Sequence, residues 1–302
     1  MASMRDIKRR RESIQSTSQI TKAMKLVSTV KLQHAKGRAE ETKPYFDKMY
    51  ETVSGMLSRS GNVDHPLLSE RQKTGNRKKG VILISSNRGL AGGYNSNIVK
   101  LVTQGDFSVE DTIVFPVGRK GMESVQRLGY TCQGDYSEVM NNPLFGDAVS
   151  IGKTVVSALE SGEIDEVYLA YTVFKNTVTH IPTLIKLLPF TQEDIQNMEE
   201  AAKLEESEGE DGAKKAEALM NYEPEESETL GYIIPMYMNS LIFGALVEAV
   251  ASENGARMQA MDSATSNAEE MIDKLGLLYN RARQSAITQE LTEIVAGASA
   301  IE

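Results

Sequence analysis

The chain has 302 residues, and at about 150 residues per domain this length predicts roughly two domains. Its composition, with 40% hydrophobic and 25% charged residues, is ordinary for a soluble globular protein, and its single cysteine, Cys132, excludes an intrachain disulfide and a cysteine-based zinc cluster. The formal net charge of −9 argues against generic nucleic-acid binding.

The first 58 residues have the pattern of one long helix. No Gly precedes Gly37 and no Pro precedes Pro44, so we expect the helix to run without interruption until a kink or break at Pro44. Apolar and small residues recur at steps of three and four, which is typical of a narrow seam that pairs with a second helix. The predicted seam consists of Ile20, Ala23, Val27, Val30 and His34, with Ile7 and Ile14 one heptad apart upstream.

A polar linker, 59–79, leads into a middle segment, 80–190, in which strands and helices alternate. Short apolar runs predict the strands and amphipathic runs predict the helices. The predicted strands are 81–84, 112–117 and 167–174, with a further extended segment at 178–188, and the predicted helices are 95–104, 118–128 and 148–161. This alternation indicates a small α/β domain with a mostly parallel sheet.

The segment 191–230 holds 14 acidic and three basic residues, a local charge of −11, and its composition predicts a surface loop or a frayed helix. The first 40 residues carry ten basic and three acidic residues, a local charge of +7. A basic start and an acidic loop predict two different contact surfaces.

The last segment, 231–302, is again helical. A seam at steps of four and three continues for nearly four heptads and then slips by one residue, as at a discontinuity in a coiled coil. The seam is Met261, Thr265, Ala268, Ile272, Leu275, Tyr279, Ala282 and Ala286, and after the slip it is Ile287, Leu291, Ile294 and Ala298. Helices at both ends of one globular segment reach each other most simply as an antiparallel pair, so we expect 231–302 to pair with 1–58.

The most membrane-like stretch is 230–251. It contains Pro235, Asn239, Ser240 and Glu248, and its clean apolar runs are shorter than the roughly 20 residues that a bilayer span needs. We therefore interpret it as the start of a buried helix and expect no direct membrane insertion.

The chemistry of an active site is largely missing from the sequence. A glycine-rich turn, 85–95, sits between a predicted strand and a predicted helix, where phosphate can bind. Its spacing is G-x-x-G-G, however, without G-x-G-x-x-G or Gly-Lys-Ser/Thr. With three scattered histidines and one cysteine, most nucleophilic and metal mechanisms lack their parts. We expect no cofactor, no metal and no catalytic residue.

Four stretches together resemble one family. They are 20–28 (ITKAMKLVS), 88–95 (RGLAGGYN), 252–261 (SENGARMQAM) and 287–300 (ITQELTEIVAGASA). In this order, and over essentially the whole chain, they resemble the gamma subunit of the bacterial F-type ATP synthases. The last stretch fits the family signature I-T-x-E-x-x-E-x-x-x-G-A at every defined position. One departure is Asn87, where the family often has Asp.

The resemblance implies fold class α/β, with a long antiparallel coiled coil of N- and C-terminal helices and a small central Rossmann-like domain. It implies a rotary central-stalk subunit, one copy per complex, that couples ion translocation to ATP synthesis and hydrolysis. The implied partners are the alpha and beta subunits of the catalytic head, the epsilon subunit and the membrane c-ring. The implied location is peripheral, on the cytoplasmic face of the bacterial cell membrane. The coupling ion, proton or sodium, stays open.

The resemblance also implies contact residues. Met24, flanked by Lys22 and Lys25, faces an acidic segment of the catalytic subunits. Further implied contacts with these subunits are Arg257, Gln284, Thr288 and Glu290. The apolar bearing at the tip is Ile294, Val295, Gly297 and Ala298, and the contact with the ion ring is Glu223.

Two other hypotheses stay open on the residues alone. The first is a nucleotide-binding α/β enzyme with helical arms, although the missing phosphate-loop residues argue against it. The second is a coiled-coil scaffold whose N-terminal helix pairs with a copy of itself. A crosslink within one chain between positions near Met24 and Ile272 is expected only if the two terminal helices pair with each other.

Overall fold

The structure is a computed structural model and describes residues 4–57, 77–189 and 226–299. The predicted segments 59–76 and 191–225, including Glu223, lie outside the described residues. The chain divides into two compact units, one formed by residues 1–30 with 257–302 and the other by residues 31–256. The unit boundaries therefore fall within the two terminal helices, at Val30 and Arg257, and not at the linkers.

Two long helices belong to both units. Helix α1 is Met4–Leu57 and contains Pro44 within its span. The helix therefore does not break at Pro44, because a proline removes one backbone hydrogen bond and the flanking turns continue the helix. The last helix, α5, is Glu226–Ser299 and contains Pro235. It begins within the segment for which a loop or frayed helix was expected.

The middle of the chain forms a five-stranded sheet. Its strands are β1 (Lys79–Ile84), β2 (Thr112–Val117), β3 (Thr131–Cys132), β4 (Glu166–Phe174) and β5 (His180–Leu188). The order across the sheet is β3-β2-β1-β4-β5, and all neighbours are parallel except β4 and β5. This confirms the mostly parallel sheet, while the short edge strand β3 was not predicted.

Three helices cover this sheet. They are α2 (Tyr94–Thr103), α3 (Arg119–Arg127) and α4 (Phe145–Glu160), and a 3₁₀ turn, Ser137–Asn141, precedes α4. The central strands are buried along nearly their whole length, which is why they read as continuous apolar runs in the sequence. Fully buried side chains of the sheet include Ile82, Ile84, Phe115 and Leu169.

The apolar start of α5 is a core element of this second unit. Leu230, Ile234, Met238, Ile242 and Leu246 are all buried and belong to the same core cluster as the sheet residues. By length and composition the helix over 229–297 could cross a membrane, but 56% of its most apolar window is buried inside the structure. A core helix of a globular protein has the same composition.

Candidate docking surfaces on the paired helices

The two terminal helices pair within the unit that contains residues 1–30 and 257–302. The Thr21 and Thr265 hydroxyl oxygens are 2.7 Å apart, and Lys25 Nζ is 2.6 Å from Asp262 Oδ1. The Arg11 guanidinium lies over the Tyr279 ring, 5.8 Å from its centroid. Residue numbers rise along α1 as they fall along α5, so the pair is antiparallel, as predicted.

The predicted seam on α5 is confirmed from Met261 to Ala286. Met261, Thr265 and Ala268 are buried, and the later predicted members from Ile272 to Ala286 are half-buried at the same spacing. The register places Ile272 opposite Ile14, and Met24 opposite Met261 and Asp262. A crosslink from Met24 to Ile272 would therefore miss its partner by about three turns.

The predicted seam on α1 is wrong for most of its members. Ile20, Val27 and Val30 are 60%, 58% and 53% exposed, and Ala23 and His34 are exposed as well. Within residues 4–30 the buried positions are instead Thr21 and Ser28, in line with the half-buried Ile7, Ile14 and Ser18. A three-four pattern of hydrophobicity selects the most apolar stripe, but the facing helix presents Thr265, whose hydroxyl satisfies that of Thr21.

This correction leaves an apolar surface on the outside of the helical pair. Ile20, Ala23, Val27 and Val30 lie on one side of α1, and Leu26, 64% exposed, extends the patch. We call these five residues the apolar stripe. Four large aliphatic side chains so close together on one helix face are typical of a surface that another protein covers.

The residues implied to contact the catalytic subunits border this stripe. Met24 is half-buried and Lys22 is exposed. The ammonium of Lys25 is already paired with Asp262 on the other helix, whereas Lys22 has no ion pair with any of the described residues. Arg257 is almost wholly buried and offers little of its surface to an outside partner.

The other implied contacts lie near the end of α5. Gln284, Thr288 and Glu290 are exposed. Among the described residues Glu290 has no hydrogen bond or ion pair, whereas the neighbouring Gln289 donates to Glu293 Oε1 at 2.9 Å. Intrahelical support therefore does not account for Glu290.

The tip of α5 extends past the described start of α1. Met4 lies opposite the turn of Ala282, and every residue from Ile287 to Gly297 is exposed. The exposed residues include the large apolar side chains Ile287, Leu291, Ile294 and Val295. Among the described residues, the predicted slip of the seam thus lies close to the place where α1 no longer accompanies α5. The side chain of Ala298 is not among those described.

The glycine-rich turn is held by hydrogen bonds to other parts of the chain. Leu90 and Gly92 have φ values of +64° and +56°, in the left-handed region that a tight strand-to-helix turn requires. The Ser86 amide donates to Asn95 Oδ1 at 3.0 Å. The Tyr94 hydroxyl donates to the carbonyl of Ala249 on α5 at 3.2 Å. The turn thus fastens α2 to α5, a role that its spacing in the sequence did not indicate.

Asn87, the departure from the family pattern, has a structural role at the same turn. Its amide nitrogen donates to the Ser137 carbonyl at 2.7 Å, and its Oδ1 accepts the Arg119 backbone N–H at 3.1 Å. An ionised aspartate could accept the second bond but could not donate the first. Among the residues that the structure describes, no group of three or more His, Cys, Asp or Glu side chains could hold a metal ion.

These features define a class of protein: an α/β subunit whose terminal helices pair antiparallel and carry apolar surface on their outer faces, as in a component of a larger assembly. A family model described as ATP synthase matches residues 3–301. The chain belongs to the ATP synthase gamma-chain family. As a member, it is a central-stalk rotor subunit of ATP synthase, part of a membrane-associated complex.

Individual relatives cover the whole chain. The ATP synthase gamma chain of Lachnoclostridium phytofermentans is 63% identical over 301 residues, which is 100% of both chains. A gamma chain of Acetobacterium woodii described as sodium ion specific is 41% identical, over 99% of this chain and 98% of the relative. Among solved structures, the mitochondrial ATP synthase central stalk and c-ring of Tetrahymena thermophila contains a chain that is 27% identical, with a TM-score of 0.55, over 81% of this chain and 99% of that chain.

Proposed function

We propose that this chain turns as the rotor shaft between the ion-carrying c-ring and the alpha and beta subunits of the catalytic head, without an active site of its own. One copy works in each complex, beside the epsilon subunit, on the cytoplasmic face of the bacterial cell membrane. Ion flow turns the chain, and its asymmetric surface drives the catalytic sites through their conformations in turn.

The observation that carries this proposal is the apolar stripe. Its side chains are exposed although the helix buries Thr21 and Ser28 a few residues away. A helix that used its aliphatic residues only for its own pairing would bury them. Apolar contacts are non-directional, so a rotating surface of this kind meets shallow angular barriers, whereas hydrogen bonds would have to break at each step.

Other residues of the paired helices supply the directional contacts. Met24 and Lys22 face the acidic segment of a catalytic subunit, and Lys25 contributes through the ion pair that fixes it to Asp262. On α5 the contacts are Gln284, Thr288 and Glu290, all exposed. Arg257 is a further proposed contact with these subunits, and the 9% of its surface that is exposed is the part available to them.

The two ends of the shaft have different roles in this proposal. Ile294, Val295, Gly297 and Ala298 form the apolar bearing inside the head. Glu223 contacts the polar loops of the ion ring. A bearing that lacks charged side chains over 294–298 turns without pulling ion pairs apart.

The test is Met24→Lys in the assembled complex, with ATP hydrolysis and ion pumping measured in the same vesicles. We expect assembly and hydrolysis to survive and the ratio of pumping to hydrolysis to fall, because a new charge disturbs the contact through which torque passes. The matched control is Met122→Lys, another half-buried methionine, on α3 outside the paired helices. An unchanged ratio for Met24→Lys would count against the proposed contact.

A further inference from the structure

A cavity of about 630 Å³ lies inside the unit formed by residues 31–256. It is bordered by the second half of α1, the first half of α5 and the end of β4. This volume is within the range of about 300–1,000 Å³ that is usual for small-molecule sites. It is separate from the apolar stripe and from every residue used in the proposed function.

The cavity walls are mostly apolar. Phe46 and Met49 come from α1, Leu241 and Ala245 come from α5, and Phe174 closes the end at β4. Gly244 leaves room opposite Phe46, since a Cβ atom at this position would lie 3.4 Å from the Phe46 ring. The walls thus suit an apolar or aromatic body.

The apolar lining of the cavity includes a carboxyl group, that of Glu248. Glu248 lines the cavity, and its Oε2 atom is buried without a hydrogen-bond partner among the described residues. The carboxyl group accepts one hydrogen bond, from the Phe174 backbone. A buried carboxyl oxygen without a partner loses its hydration and gains nothing in return, so a ligand that pairs with it recovers this free energy.

A second polar group lies near Glu248. Tyr171 on β4 also lines the cavity, and its hydroxyl makes no hydrogen bond with the described residues. Burial, together with the negative charge of Glu248, raises the pKa of Tyr171 to about 12. The phenol is therefore neutral and can either accept from or donate to a ligand head group.

The charged residues at the rim of the cavity have little influence on whether a cationic or an anionic ligand binds. Lys36 and Glu40 form an exposed ion pair at 3.6 Å, and Lys175 is exposed in solvent. Exposed charges are screened and contribute little. The buried carboxyl of Glu248 decides which charge the cavity prefers.

We propose that this cavity binds a small organic ammonium ion with an apolar or aromatic tail, whose ammonium group pairs with Glu248 and Tyr171 and whose tail packs against Phe46 and Met49. The site is independent of the rotary function, because none of its residues lies on the apolar stripe or at the tip of α5.

The test is isothermal titration of the full-length chain with three ligands of one shape: 4-phenylbutylamine, 4-phenylbutanol and 4-phenylbutyrate. We expect saturable binding of the amine at one site per chain, at least about tenfold tighter than binding of the alcohol or the acid, since an ion-pair hydrogen bond is stronger than a neutral one. Equal affinities, tighter binding of the acid, or no saturable binding of the amine at millimolar concentration would each overturn the proposal.

Two variants locate the site. Glu248→Gln keeps the side-chain volume and removes the charge, so we expect the amine to bind at least about tenfold more weakly while the alcohol is unaffected. Gly244→Leu fills the cavity opposite Phe46, and we expect it to abolish binding of both. The control is Glu40→Gln, which removes a carboxylate at the rim and should leave the affinity unchanged.

The pH dependence of binding gives an independent measurement. Burial raises the pKa of Glu248 because it disfavours the ionised carboxylate, and a paired ammonium favours that form again. We therefore expect amine binding to tighten as the pH rises through the titration of this carboxyl group, and we expect Glu248→Gln to remove this dependence. The other groups around Glu248 are Tyr171 and Lys175 at β4 and Lys36 and Glu40 on α1. Binding that is independent of pH would count against the assignment to Glu248.

Discussion

The two compact units use their apolar residues in opposite ways. The unit of residues 31–256 buries its large aliphatic and aromatic side chains, such as Ile82, Phe115 and Leu169. The helical pair of the other unit buries Thr21 and Thr265 and leaves Ile20 and Val27 outside. The first unit is stabilised by its own core, whereas the second leaves large aliphatic side chains exposed. The predictions below test this difference from the largest expected effect on stability to the smallest.

The largest effect is expected in the sheet. Phe115→Ala removes a fully buried ring, and we expect a loss of about 4 kcal/mol of unfolding free energy, from lost burial and a new cavity. Urea unfolding of the full-length chain measures it. Leu26→Ala, in the apolar stripe, is the control and should change the unfolding free energy by less than about 0.5 kcal/mol. An equal loss of unfolding free energy in both variants would contradict the proposed difference in burial between the two units.

A smaller effect is expected at the seam of the helical pair. Thr21→Val alone leaves the Thr265 hydroxyl without its partner across the pair, and we expect a cost of about 1 kcal/mol. The double variant Thr21→Val with Thr265→Val should recover most of this cost, because two apolar side chains then face each other. Thermal unfolding of the four chains of this cycle gives the coupling. Additive losses would mean that the two hydroxyls do not act as a pair.

A half-buried histidine at the start of β5 predicts that stability depends on pH. Burial lowers the pKa of His180, and its Nε2 has no partner among the described residues and lies where a Cβ on Gly255 would collide with it. The unfolded chain therefore binds a proton more readily than the folded chain. We expect stability to be full above the unfolded pKa of about 6.5 and to fall as the pH drops below it.

Replacing the half-buried imidazole should remove this dependence. His180→Gln is expected to flatten the pH profile of the melting temperature between pH 5 and 7.5. His34→Gln, a change at an exposed histidine on α1, should leave the profile as it is. A profile that keeps its slope in His180→Gln would assign the dependence to other groups.

The ion pair on the surface of the helical pair should contribute still less. Lys25 and Asp262 are 2.6 Å apart, but both side chains are well exposed. We expect Asp262→Asn to cost about 0.5 kcal/mol or less at low salt, and nothing measurable at 1 M salt. Unfolding curves at both salt concentrations decide this. A cost that persists at high salt would show that the pair is shielded from solvent.

The smallest effect on stability is expected in the apolar stripe, where the largest effect on function is expected. Val27→Asp changes an exposed side chain, so the unfolding free energy should shift by no more than about 0.5 kcal/mol. In the assembled complex we expect the ratio of ion pumping to ATP hydrolysis to fall, because a charge now faces an apolar partner surface. A destabilised chain would mean that Val27 belongs to the core after all.

Much of this molecule was determined by its sequence. Three features could be predicted from the sequence, because each depends on local spacing or on residue identity. They are the four family stretches, the alternation of strands and helices over 80–190, and the C-terminal seam from Met261 to Ala286. Asn87, in contrast, could be recognised only as a departure from the family, since its two partners, Ser137 and Arg119, lie far away in the sequence.

Only the tertiary structure decided which face of α1 turns inward. Two stripes of three-four spacing run along that helix, and the more hydrophobic one, with Ile20 and Val27, is exposed. The choice depends on the opposite helix, whose Thr265 offers a hydroxyl to Thr21 and makes a polar seam satisfiable. The periodicity of one helix contains no information about the residue that it will meet, and that residue sets the free energy of burial for each face.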